Sequence, residues 1–385
     1  MNTYVAVNVD ALTHNVRQVL GALAPGSRLM AVVKANGYGH DLVLAARTFT
    51  GAGASWLGVS TVAEGVSLRE AGLAVPVLVL VPPLGADELE SLVQHRLIAT
   101  IVAVSQLHDL AQASRAQGRR VECHVYVDSG LGRLGSNDSL PDILDAVRAF
   151  PALSITGIYT HVGPPGSGEM LPQLEALRQG GAVKGFAALT REAARHYTGQ
   201  RPLVHLAASR LFLQQPESHL DMVRLGTLLY GQYPDDCRER SLQLREDTFA
   251  LTSRIISVHT LPPGARVGYG GEFVCHRETR VATVPVGTAH GLELVPWSVA
   301  SRPRTALKAW LARHESRRGR TRYAPRAALA GRSVPLVGRV SMDQCCLDVT
   351  DVPEAAVGDA VVLPVRRLVV PSAIPRVPVS DRSEG

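Results

Sequence analysis

No stretch of this 385-residue sequence holds the roughly 18 consecutive apolar residues that a membrane-spanning helix needs. Its start, MNTYVAVNVDAL, has no basic residue ahead of a long apolar run, so no secretory signal is expected. Cysteine is scarce: Cys123, Cys237, Cys275, Cys345 and Cys346 are scattered, odd in number and without a CxxC pair. That excludes a disulfide framework, offers no metal site and fits a reduced, cytoplasmic protein whose cysteines are small core side chains. What is present is ordinary globular material, 46% hydrophobic and 19% charged, in a chain long enough for two domains. The formal charge of +6 keeps acidic small molecules and nucleic acid in consideration.

From residue 28 to about 230 short apolar runs alternate with helical patterns. The runs are Leu29–Val33, Trp56–Val59, Val77–Val81, Ile98–Val102, Glu122–Val127, Ile155–Thr160, Val204–Ala207 and Met222–Leu225. Most are rich in β-branched residues and too short to be independent helices, which reads as buried parallel strands. The first helical pattern places Leu12, Val16, Val19, Leu20 and Leu23 on one stripe behind a capping Asp10. Eight strands with helices between them is the count of a (β/α)8 TIM-type barrel, with a doubly wound sheet open as the alternative. Gly130-Leu-Gly-Arg-Leu-Gly135 matches GxGxxG, but the next strand closes on Thr160-His161 where a dinucleotide fold wants an acid.

After Pro234 the texture turns to strand-like pieces (Phe249–His259, Arg280–Val286, Val334–Val340, Ala360–Val365) split by proline and glycine. The expected division is a barrel over 1–236 and a mostly β C-terminal domain over 237–385. Inside the latter, Arg302 to Arg326 carries nine lysines or arginines against the single Glu315 and reads as a solvated basic loop. With few aromatics for base stacking, nucleic-acid binding is the weaker option there. The last residues, Val369 to Gly385, are expected to fray.

Lys34 follows Leu29–Val33 and therefore stands at the C-terminal end of the first barrel strand, the face where residues act catalytically in this fold. Burial there lowers an amine's pKa toward the range where it is nucleophilic. The continuation Ala-Asn-Gly-Tyr-Gly-His40 supplies glycines for tight turns, and a Tyr and a His able to reach an anion before a helix starts.

Val33-Lys34-Ala-Asn-Gly-Tyr-Gly-His40 resembles the cofactor-lysine signature of the alanine racemases, barrel-type pyridoxal 5′-phosphate enzymes. The resemblance continues in order along the chain. Asp128-Ser-Gly-Leu-Gly-Arg133-Leu-Gly is similar to the family's arginine loop, and Gly157-Ile-Tyr-Thr-His161 to its histidine strand. His205-Leu-Ala-Ala-Ser209 and Val223-Arg224-Leu-Gly226-Thr227-Leu-Leu-Tyr230-Gly resemble the segments that hold phosphate and pyridine ring. Val267-Gly-Tyr269-Gly resembles the second-base segment, and Gly338-Arg-Val-Ser-Met342-Asp343 the substrate-carboxylate segment.

The resemblance implies a homodimer with active sites shared between chains, an amino-acid substrate, no membrane partner and a role in D-alanine biosynthesis for the cell wall. It implies Lys34 and Tyr269 of the partner chain as bases on opposite faces of the substrate. Tyrosine ionises near ~10, so it needs help, for which His161 and Arg224 are the implied neighbours. Arg224 is implied to face the pyridine nitrogen and, being unable to give up its proton, to keep it uncharged. Arg133 is implied at the cofactor's phenolic oxygen and, with Met342, at the substrate. Tyr38, Ser209, Gly226 and Thr227 are implied to hold the phosphate.

Four features depart from the family's pattern. Thr288 and His290 stand where a tyrosine and an aspartate are usual. Tyr126 takes the place of a carboxylated lysine found in some members. The basic stretch lengthens the C-terminal domain, and the C-terminal tyrosine that meets phosphate and gates the pocket has no counterpart. The expected activity is interconversion of L- and D-alanine. The alternatives are a serine or broad-specificity racemase, a related decarboxylase of basic amino acids, and a cofactor-binding protein with little activity.

Overall fold

The computed structural model describes residues 2–162, 185–188, 190, 201–234, 237, 240–295 and 300–381. It divides into two compact units, Val9–Glu246 and a second made of Met1–Asn8 with Asp247–Gly385. Strand β1 (Tyr4–Asn8) belongs to the second unit.

The first unit carries eight parallel strands: β2 (Arg28–Val32), β3 (Trp56–Val59), β4 (Val77–Val79), β5 (Ile98–Ile101), β6 (Val121–Tyr126), β7 (Leu153–Tyr159), β8 (Leu203–His205) and β9 (Met222–Leu225). They pair in the order β8-β7-β6-β5-β4-β3-β2-β9. Where the ends of that order meet, backbone hydrogen bonds from Asp221 N to Val204 O and Arg224 N to Ala207 O bridge the seam. Each apolar run read from the sequence is one of these strands, and β3, β4, β5 and β9 are buried at every position. Helices outside cover one face and side chains inside cover the other, so no alternation is left. Met30, Trp56, Leu78, Ile98, Tyr126, Tyr159 and Met222 fill the interior as one cluster. The first helix, Val9–Gly21, buries Leu12, Val16 and Val19 as its periodicity dictates.

The second unit is built on a nine-stranded sheet. Its order is Ser257–Leu261, Thr279–Val284, Cys345–Asp348, Arg332–Val337, Arg326–Leu329, Ala360–Leu363, Phe249–Arg254, β1 and Arg376–Val379. Three sequence expectations are corrected here. Residues 4–8, counted with the barrel, alternate buried and half-buried side chains and pair antiparallel with Phe249–Thr252 and parallel with Arg376–Val379. The segment from Val369, expected to fray, supplies that last edge strand; residues 382–385 lie outside the described ones. The basic stretch, expected as a loop, contains a helix over Pro303–Ser316. Its Ala, Leu, Lys, Arg and Glu are good helix formers, Pro303 sits in the first turn, and Arg313 and His314 complement the C-terminal end. Charge count alone carries no information about those backbone preferences.

Candidate active site

Lys34 leaves the end of β2 into an unusual turn. Ala35, Asn36, Gly37 and Tyr38 all have φ between 53° and 60°, a left-handed run in which only one residue is glycine. Left-handed backbone costs an L-residue roughly 1–2 kcal/mol, so the turn must be held from outside. Glu64 does this: Oε1 accepts from Ala35 N (2.7 Å) and Oε2 from Ser60 N (2.8 Å), tying the ends of β2 and β3 together. Asn36 Oδ1 accepts from Leu42 N (2.9 Å), and Gly37 N donates to Val33 O (2.8 Å). Burial first, and then the charge of Arg133, lower the Lys34 amine below its usual range, while Glu64 raises it.

Arg224, near the end of β9, is buried in the barrel. Its Nη1 donates to His205 Nδ1 (2.9 Å), and its Nη2 to Thr160 O (2.6 Å) and Leu206 O (3.4 Å). Its guanidinium lies 5.0 Å from the centre of the Tyr159 ring, which itself stacks on His205. Burial moves Arg224 down to about 10, leaving it a cation at neutral pH. His161 is pushed down to about 3, by burial first and then by Arg224, Arg133, Lys34 and Arg210, so it is neutral.

Arg133 rides on a loop folded around one carboxylate. Asp128 Oδ1 accepts from Gly130 N, Leu131 N and Gly132 N at 3.0–3.2 Å. This explains the glycines of the GxGxxG-like segment: Gly130, Gly132 and Gly135 take φ of 99°, 66° and 153°. Elsewhere in the barrel Thr227 Oγ1 donates to Ser209 Oγ (2.9 Å). A Cβ at Gly226 would lie 2.3 Å from Tyr38 Oη, so only glycine leaves room for that hydroxyl.

These groups surround one cavity of about 640 Å³. Lys34, Tyr38, Arg133, His161, Ser209, Arg224, Gly226 and Thr227, eight residues singled out in the sequence, all line it. Its lining includes the cations Lys34, Arg133, Arg210 and Arg224 and no Asp or Glu among the described residues. Such a cavity takes an anion. Residues 7–234 match the family model for the alanine racemase N-terminal domain, and 248–369 that for the alanine racemase C-terminal domain.

The chain belongs to the alanine racemase family.

Within that family it is 33% identical over 366 residues to alanine racemase 1 of Caldanaerobacter subterraneus subsp. tengcongensis, covering 94% of this chain and 85% of that protein. It is 34% identical over 363 residues to the alanine racemase of Desulfovibrio desulfuricans, covering 93% and 87%. Among solved structures, the alanine racemase of D-cycloserine-producing Streptomyces lavendulae superimposes with a TM-score of 0.78 at 26% identity, covering 98% and 97% of the two chains. The alanine racemase of Clostridium difficile 630, at 22% identity, shares the fold with a TM-score of 0.80 over 99% and 96%.

The family's cofactor is pyridoxal 5′-phosphate, and the cavity fits it. A depressed amine stands at Lys34, a cationic lining without acids among the described residues surrounds the space, and Tyr38, Ser209 and Thr227 bring hydroxyls to a wall kept open by Gly226. Tyr269 and Met342 belong to the second unit, where each is 72% exposed. Tyr269 opens a short turn between Gly268 (φ 76°) and Gly270 (φ 72°). Of the family departures, the Thr288 turn lies against the Met342 segment: Thr288 N donates to Ser341 O (3.0 Å) and Ala289 N to Met342 O (2.9 Å). Tyr126 is buried and lines the cavity.

Sequence reasoning missed Glu64 and His124. The signal for Glu64 was present as Thr61-Val-Ala-Glu64, a capping box whose acid also reaches Ala35. The signal for His124 was a polar residue within the apolar strand β6.

Proposed function

We infer that this protein is a pyridoxal-phosphate-dependent alanine racemase. The observation that carries this is Lys34, a lysine with a lowered pKa, in a cation-lined anion cavity of an alanine racemase-family chain. The cofactor, bound there, makes the α-hydrogen of an amino acid acidic. Lys34 holds the cofactor and, on one face of the substrate, takes the α-proton when its Nζ is neutral and returns it when Nζ is protonated. Tyr269 of the partner chain serves the other face through its Oη, in a homodimer that shares its sites. Arg224 faces the cofactor's ring nitrogen and cannot surrender a proton to it. Arg133 holds the phenolic oxygen and the substrate carboxylate, with Met342 at the substrate. Tyr38, Ser209 and the amides of Gly226 and Thr227 hold the phosphate. His161 is the neutral neighbour of Tyr269.

The test is incubation of the holoenzyme with L-alanine in deuterated water. Racemisation puts deuterium at the α-carbon and yields both enantiomers; release of carbon dioxide or silence would overturn it. A second reading, a wider substrate set, is favoured by Thr288, a small residue where the family usually has tyrosine, packed on the Met342 backbone. A chiral panel with serine separates the two.

A further inference from the structure

Beyond the residues that touch the cavity, two buried histidines stand behind Arg224. We propose that His124 is a positioning residue for Arg224, acting through His205 in a chain of neutral imidazoles whose tautomers the guanidinium dictates. The inference rests on the racemase reading only where turnover is measured.

An arginine side chain donates hydrogen bonds and accepts none. Because Arg224 Nη1 donates to His205 Nδ1 (2.9 Å), that nitrogen is bare. A neutral His205 then carries its hydrogen on Nε2, which lies 3.0 Å from His124 Nδ1. His124 Nδ1 is therefore the acceptor, and the His124 hydrogen sits on its own Nε2, which has no partner among the described residues. Each step is fixed by the one before it, and the reverse order would need an arginine that accepts. A charged His205 would turn an N–H toward a guanidinium at hydrogen-bond distance in a site with no exposure, which like charge and burial both oppose. Burial and the nearby Arg224 push His124 down to about 3 and His205 well below its usual value, in agreement.

The sequence makes room for this. A Cβ at Gly157 would fall 2.4 Å from the His124 ring, so glycine on β7 admits the imidazole. Trp56 (ring centres 5.5 Å apart) and Tyr159 (6.5 Å) hold it from two other sides. An unpartnered buried N–H is unfavourable. It persists here because it ends a chain that commits one Nη1 hydrogen of Arg224, while the carbonyls of Thr160 and Leu206 take those of Nη2. The remaining N–H groups of the guanidinium are left for the cavity that Arg224 lines.

Two substitutions separate the acceptor from the ring. His124→Asn puts Oδ1 where Nδ1 was, and His124→Phe keeps a ring without an acceptor. The expected result is a fall in kcat of about tenfold in His124→Phe with KM nearly unchanged, roughly one hydrogen bond's worth, and recovery to within about threefold in His124→Asn. Nitrogen-15 NMR of the histidine-labelled holoenzyme should show both rings as neutral Nε2–H tautomers from pH 6 to 9. An Nδ1–H signal on either ring, or titration of either in that range, overturns the proposal whatever the enzyme's substrate. So does equal turnover in the two variants. Should His124→Phe fail to fold, the wild-type tautomers decide the matter alone.

Discussion

The two units carry their functional groups in opposite ways. In the barrel unit Arg224 and His205 are buried, the turn after Lys34 is strained and tied down by Glu64, and Asp128 folds the loop under Arg133. In the second unit Tyr269 and Met342 are each 72% exposed. The same asymmetry holds for large apolar side chains: among the described residues only Val81 and Leu84 are exposed in the barrel unit, against ten in the other. The barrel prepares its groups within one chain. The second unit leaves Tyr269 and Met342 exposed, as the proposed homodimer requires of groups that serve a partner's site.

That contrast can be broken at several points. Lys34→Ala should have the largest effect, removing the visible cofactor band of the purified protein and cutting turnover by roughly 10²–10⁴-fold. A retained band would place the cofactor elsewhere. Tyr269→Phe should leave that band intact and slow racemisation about 10²-fold, while Lys34 still exchanges the α-proton of one enantiomer with deuterated solvent. Equal loss of that exchange from both enantiomers, with the band retained, would count against an opposite-face role.

Acid should act on the barrel unit. His124 and His161 have folded values of about 3 against an ordinary 6.5, so between those values only the unfolded chain binds their protons. Their contribution to stability is present above about pH 6.5 and is lost as pH falls toward 3. Melting of the apoprotein at pH 7 and pH 4.5 should differ by at least about 3 °C, the lower pH being less stable. A flat profile would show that these rings are solvated. Glu64→Gln should cost about 1 kcal/mol by losing a charged acceptor at Ala35 and Ser60. It should also lower the Lys34 amine further, since Glu64 raises it. The pH dependence of amine modification in the apoprotein reports this directly. The smallest effect belongs to Leu307→Ser with Trp310→Ser on the helix Pro303–Ser316, where these side chains are 57% and 60% exposed. Stability should change by no more than about 0.5 kcal/mol in denaturant unfolding, with turnover unaltered.

How far the sequence could be read follows the range of the interactions involved. The barrel strands were legible because burial on both faces writes itself as unbroken apolar runs such as Trp56–Val59 and Ile98–Ile101. The cavity residues were legible because short motifs hold them, each at a strand end or in the loop after it. Residues 4–8 were not, since their partners lie at 249–252 and 376–379 and no local pattern names them. The helix Pro303–Ser316 was hidden by its charge. The left-handed turn was only half visible: the glycines suggested a tight turn, yet Ala35, Asn36 and Tyr38 adopt positive φ because Glu64 and neighbouring amides compel them. His124 showed only as a polar residue in an apolar strand, because its meaning arises from His205, distant in sequence and 3.0 Å away in space.

The placement of β1 between Phe249–Arg254 and Arg376–Val379 also bears on synthesis. The ribosome makes β1 long before its outer neighbour. At roughly 5–20 residues per second, residues 4–8 wait tens of seconds for that strand, while every strand of the barrel has already emerged. During translation an early edge therefore stays open after the barrel strands have been made. A stalled or truncated chain ending before residue 376 would display that edge to its neighbours, and co-translational aggregation should begin there.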